Sequence, residues 1–153
     1  MKIYLASSWR NTHYAATLEL LRYLGAEVYD FKQDGFSWSD IDPRWQEWSP
    51  EAYKAALQHP VAIAGHKKGK DAMIAADVCV LVLPSGRSAS FELGYMMGLG
   101  KTGLVFRPEK CEPELMYRDA TVCCSRRELS FEIGVLFANE RNTGRFLGEA
   151  VIR

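Results

Sequence analysis

The sequence of 153 residues is long enough for about one domain with a buried core. It carries 19 basic and 19 acidic side chains, so the zero net charge provides no field that would favour a nucleic acid polymer or an anionic membrane. The apolar N-terminal run is too short for a signal peptide, and no stretch approaches the ~20 apolar residues of a membrane span. We therefore expect a single cytoplasmic domain over residues 1–153 that binds a small molecule.

The N-terminal segment has a β-α-β pattern. Residues 2–6 are apolar and predict a buried strand, and residues 12–24 have the periodicity of a helix. Gly25 is typical of a helix end, and the β-branched and aromatic residues of 26–31 predict a second strand. Residues 32–50 contain glycine, prolines and several acids and are too irregular to predict a regular element.

The long loop 32–50 contains three tryptophans, Trp38, Trp45 and Trp48. Long loops in compact domains are often lids or binding loops, and an indole ring offers a flat face on which a nucleobase could stack. The same rings could instead fill the edge of the sheet, because large aromatic residues are common packing residues. The sequence leaves both interpretations open.

The middle of the chain predicts two helices and a central strand. Residues 50–58 form a short helix with Ser49 as its N-cap, and Pro60 breaks it before a second helix over residues 61–75. Residues 78–83 are uncharged and largely Val and Leu, which suits a parallel strand covered on both faces. Asp77 precedes this strand and is interpreted as structural.

The C-terminal part continues the alternation of strands and helices. We predict strands over residues 101–106 and 121–124 with a brief helix over 111–118 between them. Ser125 then caps a last helix, with Glu128 in a capping-box arrangement. Right-handed crossovers place these elements in a flavodoxin-like, Rossmann-like α/β fold, a three-layer sandwich with a five-stranded parallel sheet of order 2-1-3-4-5.

The stretch that follows the central strand combines a turn over 84–90 with a helix that runs from Phe91 to Gly100 and carries Glu92 in its first turns. An acid there is favoured by the helix dipole whatever its function, which is the simplest explanation of Glu92. The same dipole would lower the pKa of Glu92 and keep it ionised, as a carboxylate nucleophile must be.

Two turns, one after the first strand and one after the central strand, meet in a sheet of this order at the switch point where ligands bind. They collect hydroxyl and cationic side chains suited to phosphate or ribose, namely Ser7, Ser8, Arg10 and Asn11 in the first turn and Gly86, Arg87, Ser88 and Ser90 in the second. Any single serine could equally be a helix cap.

Other motifs that would indicate a cofactor or a metal are absent from the sequence. It has no Gly-x-Gly-x-x-Gly, Walker or Gly-x-Ser-x-Gly pattern, and Gly98-Leu99-Gly100-Lys101 is typical of a helix end. The three histidines and four cysteines have no metal-type spacing, and we interpret the cysteines as reduced, buried thiols. We therefore expect neither a cofactor nor a metal.

Four short segments of residues 1–107 form motifs: Ile3-Tyr4-Leu5-Ala6-Ser7-Ser8-Trp9-Arg10, Ala76-Asp77-Val78, Phe91-Glu92-Leu93-Gly94-Tyr95 and Gly100-Lys101. In this order they resemble the nucleoside 2-deoxyribosyltransferases and the deoxynucleoside monophosphate N-glycosidases of the same superfamily. The resemblance implies that Glu92 is a nucleophile forming a covalent glycosyl ester, that Asp71 assists the leaving base, and that the first segment, including Tyr4 and Trp9, binds substrate. It also implies a homodimer or larger assembly.

The sequence departs from the family pattern at two places. Asp71 is followed by Ala72-Met73, whereas the family's acid opens an Asp-Leu-Asn segment. The turn before Glu92 has Arg87 among serines in place of the usual Asp-Gly or Ser-Gly, which favours an anionic substrate and therefore a nucleotide over a nucleoside. Cleavage or transfer of an N-glycosidic bond is the predicted function; a Toll/interleukin receptor-like NAD glycohydrolase and a noncatalytic nucleotide sensor are the alternatives.

Overall fold

The structure is a computed structural model that describes residues 1–149, apart from the side chains of Asp34 and of residues 142–149. The chain divides into two compact units. We call Met1–Tyr29 together with the chain from Ala76 onward the sheet unit, and Asp30–Ala75 the inserted unit. Whether the two units behave as one domain, as predicted, stays a prediction. No helix of the described residues has the length and apolar character needed to span a membrane.

The strands and helices alternate along the chain. The strands are β1 (Lys2–Ala6), β2 (Glu27–Tyr29), β3 (Val78–Val82), β4 (Thr102–Phe106) and β5 (Thr121–Cys123). The helices are α1 (Tyr14–Tyr23), α2 (Phe31–Asp34), α3 (Pro50–Ala56), α4 (Pro60–Ala75), α5 (Arg87–Gly98) and α6 (Arg126–Glu149). Short 3₁₀ turns occupy Trp38–Asp40, Trp45–Glu47 and Leu115–Asp119.

The sheet unit has five parallel strands in the order β2-β1-β3-β4-β5, with helices on both faces. The predicted flavodoxin-like α/β fold is therefore confirmed. Every residue of β3 is buried, as its Val-rich and Leu-rich sequence predicts for a central parallel strand. Because β1→β2 and β3→β4 progress in opposite directions, right-handed crossovers place α1 and α5 on opposite faces of the sheet.

The start of the central strand is fixed by a carboxylate, as predicted for Asp77. Its Oδ2 accepts a hydrogen bond from the Lys2 backbone N–H at 2.7 Å, and its own N–H donates to the Lys2 carbonyl at 2.8 Å. These bonds join the beginning of β3 to the beginning of β1. The side chain of Asp77 thus sets the register of the two strands whose other ends face the predicted ligand.

Several helix boundaries differ from the predicted ones. Phe31 begins α2 and does not continue β2, because Asp30 caps the helix by accepting from the Lys32 N–H at 3.0 Å. Pro60 was predicted to lie between two helices, but it is the first residue of α4. Its missing N–H costs nothing at that position. At α6 the capping role of Ser125 is observed, since its Oγ accepts from the Glu128 N–H at 3.2 Å.

The most consequential difference is the start of α5, which lies at Arg87 and not at Phe91. Gly86 takes the N-cap position with extended backbone (φ −81°, ψ 168°), so residues predicted to form a turn become the first turns of the helix. Small residues such as Ser88 and Ala89 do not oppose this extension. Glu92 is consequently the sixth residue of the helix, beyond the first turn in which the dipole acts.

The inserted unit is more regular than its sequence predicts and buries little. The segment 32–50 contains the end of α2 and two 3₁₀ turns, so the prediction of a wholly irregular loop was wrong. Among the described side chains, the buried ones of this unit are Ala56, Ala62 and Met73. Four aromatic rings form its remaining packing, with Trp38 edge-to-face against Phe36, Trp48 and Tyr53 at centroid distances of 4.7, 5.6 and 5.8 Å.

Candidate active site

The turns that follow β1 and β3 lie against each other at the carboxyl edge of the sheet, as the strand order predicts. Ser7 Oγ donates to the Val82 carbonyl at 3.0 Å. The amide of the buried Asn11 donates to the same carbonyl at 3.1 Å and to the Pro84 carbonyl at 2.8 Å. These bonds satisfy backbone carbonyls that leave the central strand. Ser7 and Asn11 therefore shape this edge of the site whatever else they bind.

The remaining candidates of the first turn are Ser8, Trp9 and Arg10. Ser8 Oγ accepts a hydrogen bond from the Arg10 N–H at 3.2 Å, a bond that stabilises the turn. Arg10 is exposed, and the Trp9 side chain retains 53% of its accessible surface. An exposed guanidinium and an exposed indole at this edge are compatible with ligand contact, and their predicted binding roles stay predictions.

The second group of candidates lies on the N-terminal turns of α5. Gly86 caps the helix, and Arg87 and Ser88 are exposed at its first residues. Ser90 points elsewhere, because its hydroxyl lies 3.0 Å from the hydroxyl of Tyr117 in the 3₁₀ turn that precedes β5. Tyr117 was not singled out by the sequence, since only the fold brings two residues so distant in the chain together.

A row of residues in register crosses the sheet beneath α5. Tyr4 on β1 pairs with Tyr29 on β2 and with Cys79 on β3, and Cys79 pairs with Gly103 on β4. Residues in register on parallel strands face the same side of the sheet. The rings of Tyr4 and Tyr29 stack with centroids 5.3 Å apart and planes inclined by 13°. This row forms the floor over which α5 places Glu92.

Glu92 is partly buried, and its carboxylate accepts a hydrogen bond from the hydroxyl of Tyr4. Burial raises the pKa of Glu92 to about 7, and the hydrogen bond from Tyr4 opposes this rise. The expectation that the helix dipole lowers the pKa of Glu92 was therefore wrong. Two causes explain the error: the helix begins earlier than predicted, and the loss of hydration outweighs a dipole that is weak beyond the first turn.

The neighbours of Glu92 on the floor remain protonated when Glu92 ionises. Burial, followed by the charge of Glu92, raises the pKa of the Tyr4 hydroxyl well above its ordinary value, so Tyr4 stays a hydrogen-bond donor. Burial and the same charge raise the pKa of the Cys79 thiol to about 12. Near neutral pH, Glu92 is thus the titrating member of this group of three.

The four cysteines differ in exposure. Cys79 and Cys123 are buried, Cys111 is half-buried and Cys124 is exposed. The prediction of buried thiols was therefore wrong for Cys124. The position of Cys79 under Glu92 was not anticipated either, since it follows from the register of β1 and β3.

Asp71, the acid that the resemblance assigns to the leaving base, lies on α4 of the inserted unit. Its side chain is exposed and pairs with Lys67 Nζ at 2.5 Å. A pair spaced by four residues is common on solvated helices and contributes little to stability. The role of Asp71 stays a prediction, beside this simpler structural explanation.

Two tryptophans of the inserted unit, Trp38 and Trp48, pack within its aromatic cluster. Trp38 contacts three other rings, and the indole N–H of Trp48 donates to Asp42 Oδ2 at 2.8 Å. Such mutual contacts favour packing over base stacking for these two rings, and that packing is within the inserted unit. Filling of the sheet edge stays a prediction. In the described part of the chain, no group of three or more His, Cys, Asp or Glu side chains is placed to hold a metal ion.

A solved structure of a 2-deoxyribosyltransferase from the psychrotolerant bacterium Bacillus psychrosaccharolyticus has the same fold as this chain. The two are 21% identical, and their match covers 85% of this chain and 90% of that one with a TM-score of 0.58. That enzyme is described as a suitable biocatalyst for the industrial synthesis of antiviral and antitumoral nucleosides. The fold that the resemblance implies is thereby confirmed. No family model and no curated protein sequence matches the chain.

Proposed function

We propose that the protein cleaves or transfers the N-glycosidic bond of a nucleotide or nucleoside, with Glu92 as the nucleophile. The observation that supports this most is the partly buried Glu92 carboxylate held by the hydroxyl of Tyr4. It lies on α5 in a fold shared with a 2-deoxyribosyltransferase. A lone carboxylate with a raised pKa in such a setting is typical of a reacting group.

The reaction would proceed in two steps with retention at the sugar. A Glu92 oxygen attacks C1′, a C–O bond forms, and the base departs with the electron pair of the broken C–N bond. Asp71, by resemblance, protonates or orients that base. Water or a second base then attacks C1′ and releases the carboxylate. The Tyr4 hydrogen bond would orient the carboxylate for the first step.

The ionisation of Glu92 sets a pH dependence for this mechanism. Only the carboxylate form attacks, and burial holds its pKa at about 7. The value of kcat/KM is therefore expected to increase with pH up to about 7 and then to level off, unless a second group titrates. Measuring kcat/KM for base release as a function of pH tests this expectation, because kcat/KM reports the ionisation of the free enzyme. A value of kcat/KM that is already constant between about pH 5 and 8 contradicts it.

The substrate we favour is a nucleotide. Arg87 and Ser88 are exposed on the first turn of α5, and Arg10 is exposed on the turn after β1. Backbone N–H groups at the start of a helix and guanidinium groups both favour phosphate oxygens.

The cytoplasmic location and the assembly as a homodimer or larger also remain predictions. Analytical ultracentrifugation measures the assembly.

The test is to incubate the protein with a panel of nucleotides and nucleosides and to follow base release. Glu92→Ala and Glu92→Gln are each expected to lower the rate by about a thousandfold or more, since the nucleophile is removed. Glu19→Gln, which changes an exposed acid on α1, is the matched control and should act as the wild type does. Quenched wild-type protein should carry the mass of a glycosyl group on Glu92, and undiminished activity of Glu92→Ala would exclude the role.

The same panel separates the alternatives. NAD turnover without release of a base from any other compound would indicate a NAD glycohydrolase. A nucleotide that raises the melting temperature of the wild type and of Glu92→Gln equally, with no base released, would indicate a sensor. Adding a second free base tests transfer against hydrolysis, because transfer yields a new nucleoside or nucleotide and hydrolysis yields the free sugar.

A further inference from the structure

Gly103, the second residue of β4, lies directly beneath side chains of α5. A Cβ atom on Gly103 would lie 2.5 Å from Met97 Sδ, 2.8 Å from Met97 Cγ and 3.0 Å from Leu93 Cδ1. Gly103 is not among the residues with positive φ, so its backbone does not require glycine. Glycine in the interior of a strand weakens it, and here the space that it leaves is occupied by the helix. Position 103 therefore requires glycine because the side chains of Met97 and Leu93 occupy the space that a Cβ atom would take.

The two side chains that occupy this space are close to Glu92 along the helix. Leu93 follows Glu92 directly, and Met97 lies five residues, or about 7.5 Å of helix rise, further on. Leu93 is 3% exposed, so it cannot move outward without opening the core. Since α5 is a rigid element, a displacement at Met97 and Leu93 also displaces Glu92.

The other end of the same row holds the partner of Glu92. Gly103 is in register with Cys79, and Cys79 is in register with Tyr4. The height of α5 above this row sets the distance between the Glu92 carboxylate and the Tyr4 hydroxyl. We propose that Gly103 is a positioning residue: its missing side chain admits Met97 and Leu93 and so holds α5 where Glu92 reaches Tyr4. The catalytic meaning of this inference rests on the proposed function.

A methyl group at position 103 tests the inference because it needs ordinary contacts of 3.4–4 Å to Met97 and Leu93. Met97 can turn aside, in which case Glu92 stays in place, or α5 can move away from the sheet and stretch the bond to Tyr4. A hydrogen bond weakens steeply with length and misalignment. The proposal requires the second response.

The experiment measures the pKa of Glu92 by carbon NMR of its carboxyl group in the whole protein. Gly103→Ala should raise this pKa by about half a unit to one unit, because a displacement of α5 smaller than a water molecule weakens the bond from Tyr4, which favours the charged form, while Glu92 stays buried. The rate of base release should fall about tenfold. Tyr4 and Cys79, which interact with Glu92, titrate well above this range, so their ionisation does not obscure the measurement.

Two further variants make the test specific. In Gly103→Ala combined with Met97→Ala, the new methyl group has room again, and the pKa of Glu92 should return to the wild-type value. Gly98→Ala adds a methyl group to α5 itself at a place where nothing lies within 4 Å, and it should leave the pKa and the rate unchanged. If Gly103→Ala does not fold, the double variant is expected to fold again with the wild-type pKa of Glu92, because it removes the contact between the new methyl group and Met97.

An unchanged pKa of Glu92 in Gly103→Ala would overturn the inference, and so would a Gly103→Ala variant whose folding Met97→Ala does not restore. A shift that the double variant fails to reverse would also overturn it, since a general loss of packing would then be the cause. The proposed function is judged separately: if the pKa moves as expected but the wild type releases no base, the positioning role stands and the proposed function fails. If the wild type releases base but the pKa of Glu92 does not change in Gly103→Ala, the proposed function stands and the positioning role of Gly103 fails.

Discussion

All five residues of β3 in the sheet unit are buried, whereas the described side chains buried in the inserted unit are two alanines and Met73. The sheet unit places Leu5, Leu81 and similar large side chains at zero exposure. The inserted unit instead packs half-buried aromatic rings edge to face. Burial of apolar area provides most of the stability of a fold, so the two units differ in how firmly they hold their side chains.

The candidate residues of the two units differ in how firmly packing holds them. Glu92 and Tyr4 lie on a helix and a strand of the sheet unit, where packing fixes both partners of the hydrogen bond. Asp71, by contrast, lies exposed on α4 of the inserted unit. Regions with few buried apolar side chains open more readily than a central sheet. We expect the inserted unit to open locally while the sheet unit stays folded.

The largest effect is expected from Leu81→Ala, which removes a fully buried side chain from the central strand. The lost burial and the remaining cavity should lower the free energy of unfolding of the sheet unit by about 3–4 kcal/mol. Chemical denaturation measures this. Val122→Ala on the edge strand β5, where Val122 is 43% exposed, is the control and should cost less than about 1 kcal/mol. Equal losses in the two variants would contradict the assignment of the core.

A more local effect is expected from Trp38→Ala, which removes the ring at the centre of the aromatic cluster. Three edge-to-face contacts disappear, at about 0.5–1.5 kcal/mol each beyond the area they bury. Hydrogen exchange should show lost protection in residues 30–75, while the amides of β1, β3 and β4 keep theirs. Trp38→Phe retains a ring and should lose less. Uniform loss of protection across the chain would show that the two units unfold as the single predicted domain.

Much of the fold is predictable from local signals in the sequence. The runs at 2–6, 78–82 and 102–106 are strands because each is a short, largely apolar segment that can be buried on both faces of a sheet. Right-handed crossovers then allow few strand orders. The start of α5 escaped prediction, since it depends on how Gly86 leaves the sheet and accepts the N-cap position, which the local residue types leave open.

Candidate site residues can be proposed from the sequence, but their electrostatics cannot be predicted from it. Glu92 and Tyr4 are picked out by short motifs, and the structure joins them by a hydrogen bond. The direction of the Glu92 pKa could not be read from the helix alone, because it depends on burial against β1 and β3. Tyr29 and Gly103 were missed for the same reason: their part in the site follows from strand register, which pairs residues far apart in the chain.

The last expected effect depends on pH and concerns the stability cost of Glu92 itself. A carboxyl whose pKa rises on folding from 4.5 to about 7 binds its proton more tightly in the folded state, so folding stability falls as pH rises through that window. Glu92→Gln removes the buried charge and should raise the free energy of unfolding by up to about 3 kcal/mol near pH 8, and by almost nothing near pH 4. Denaturation at both pH values measures this, with exposed Glu19→Gln as the control. If Glu92→Gln increases the free energy of unfolding equally at both pH values, the increase comes from packing. If the increase is confined to high pH, the ionised carboxylate beside Tyr4 destabilises the sheet unit.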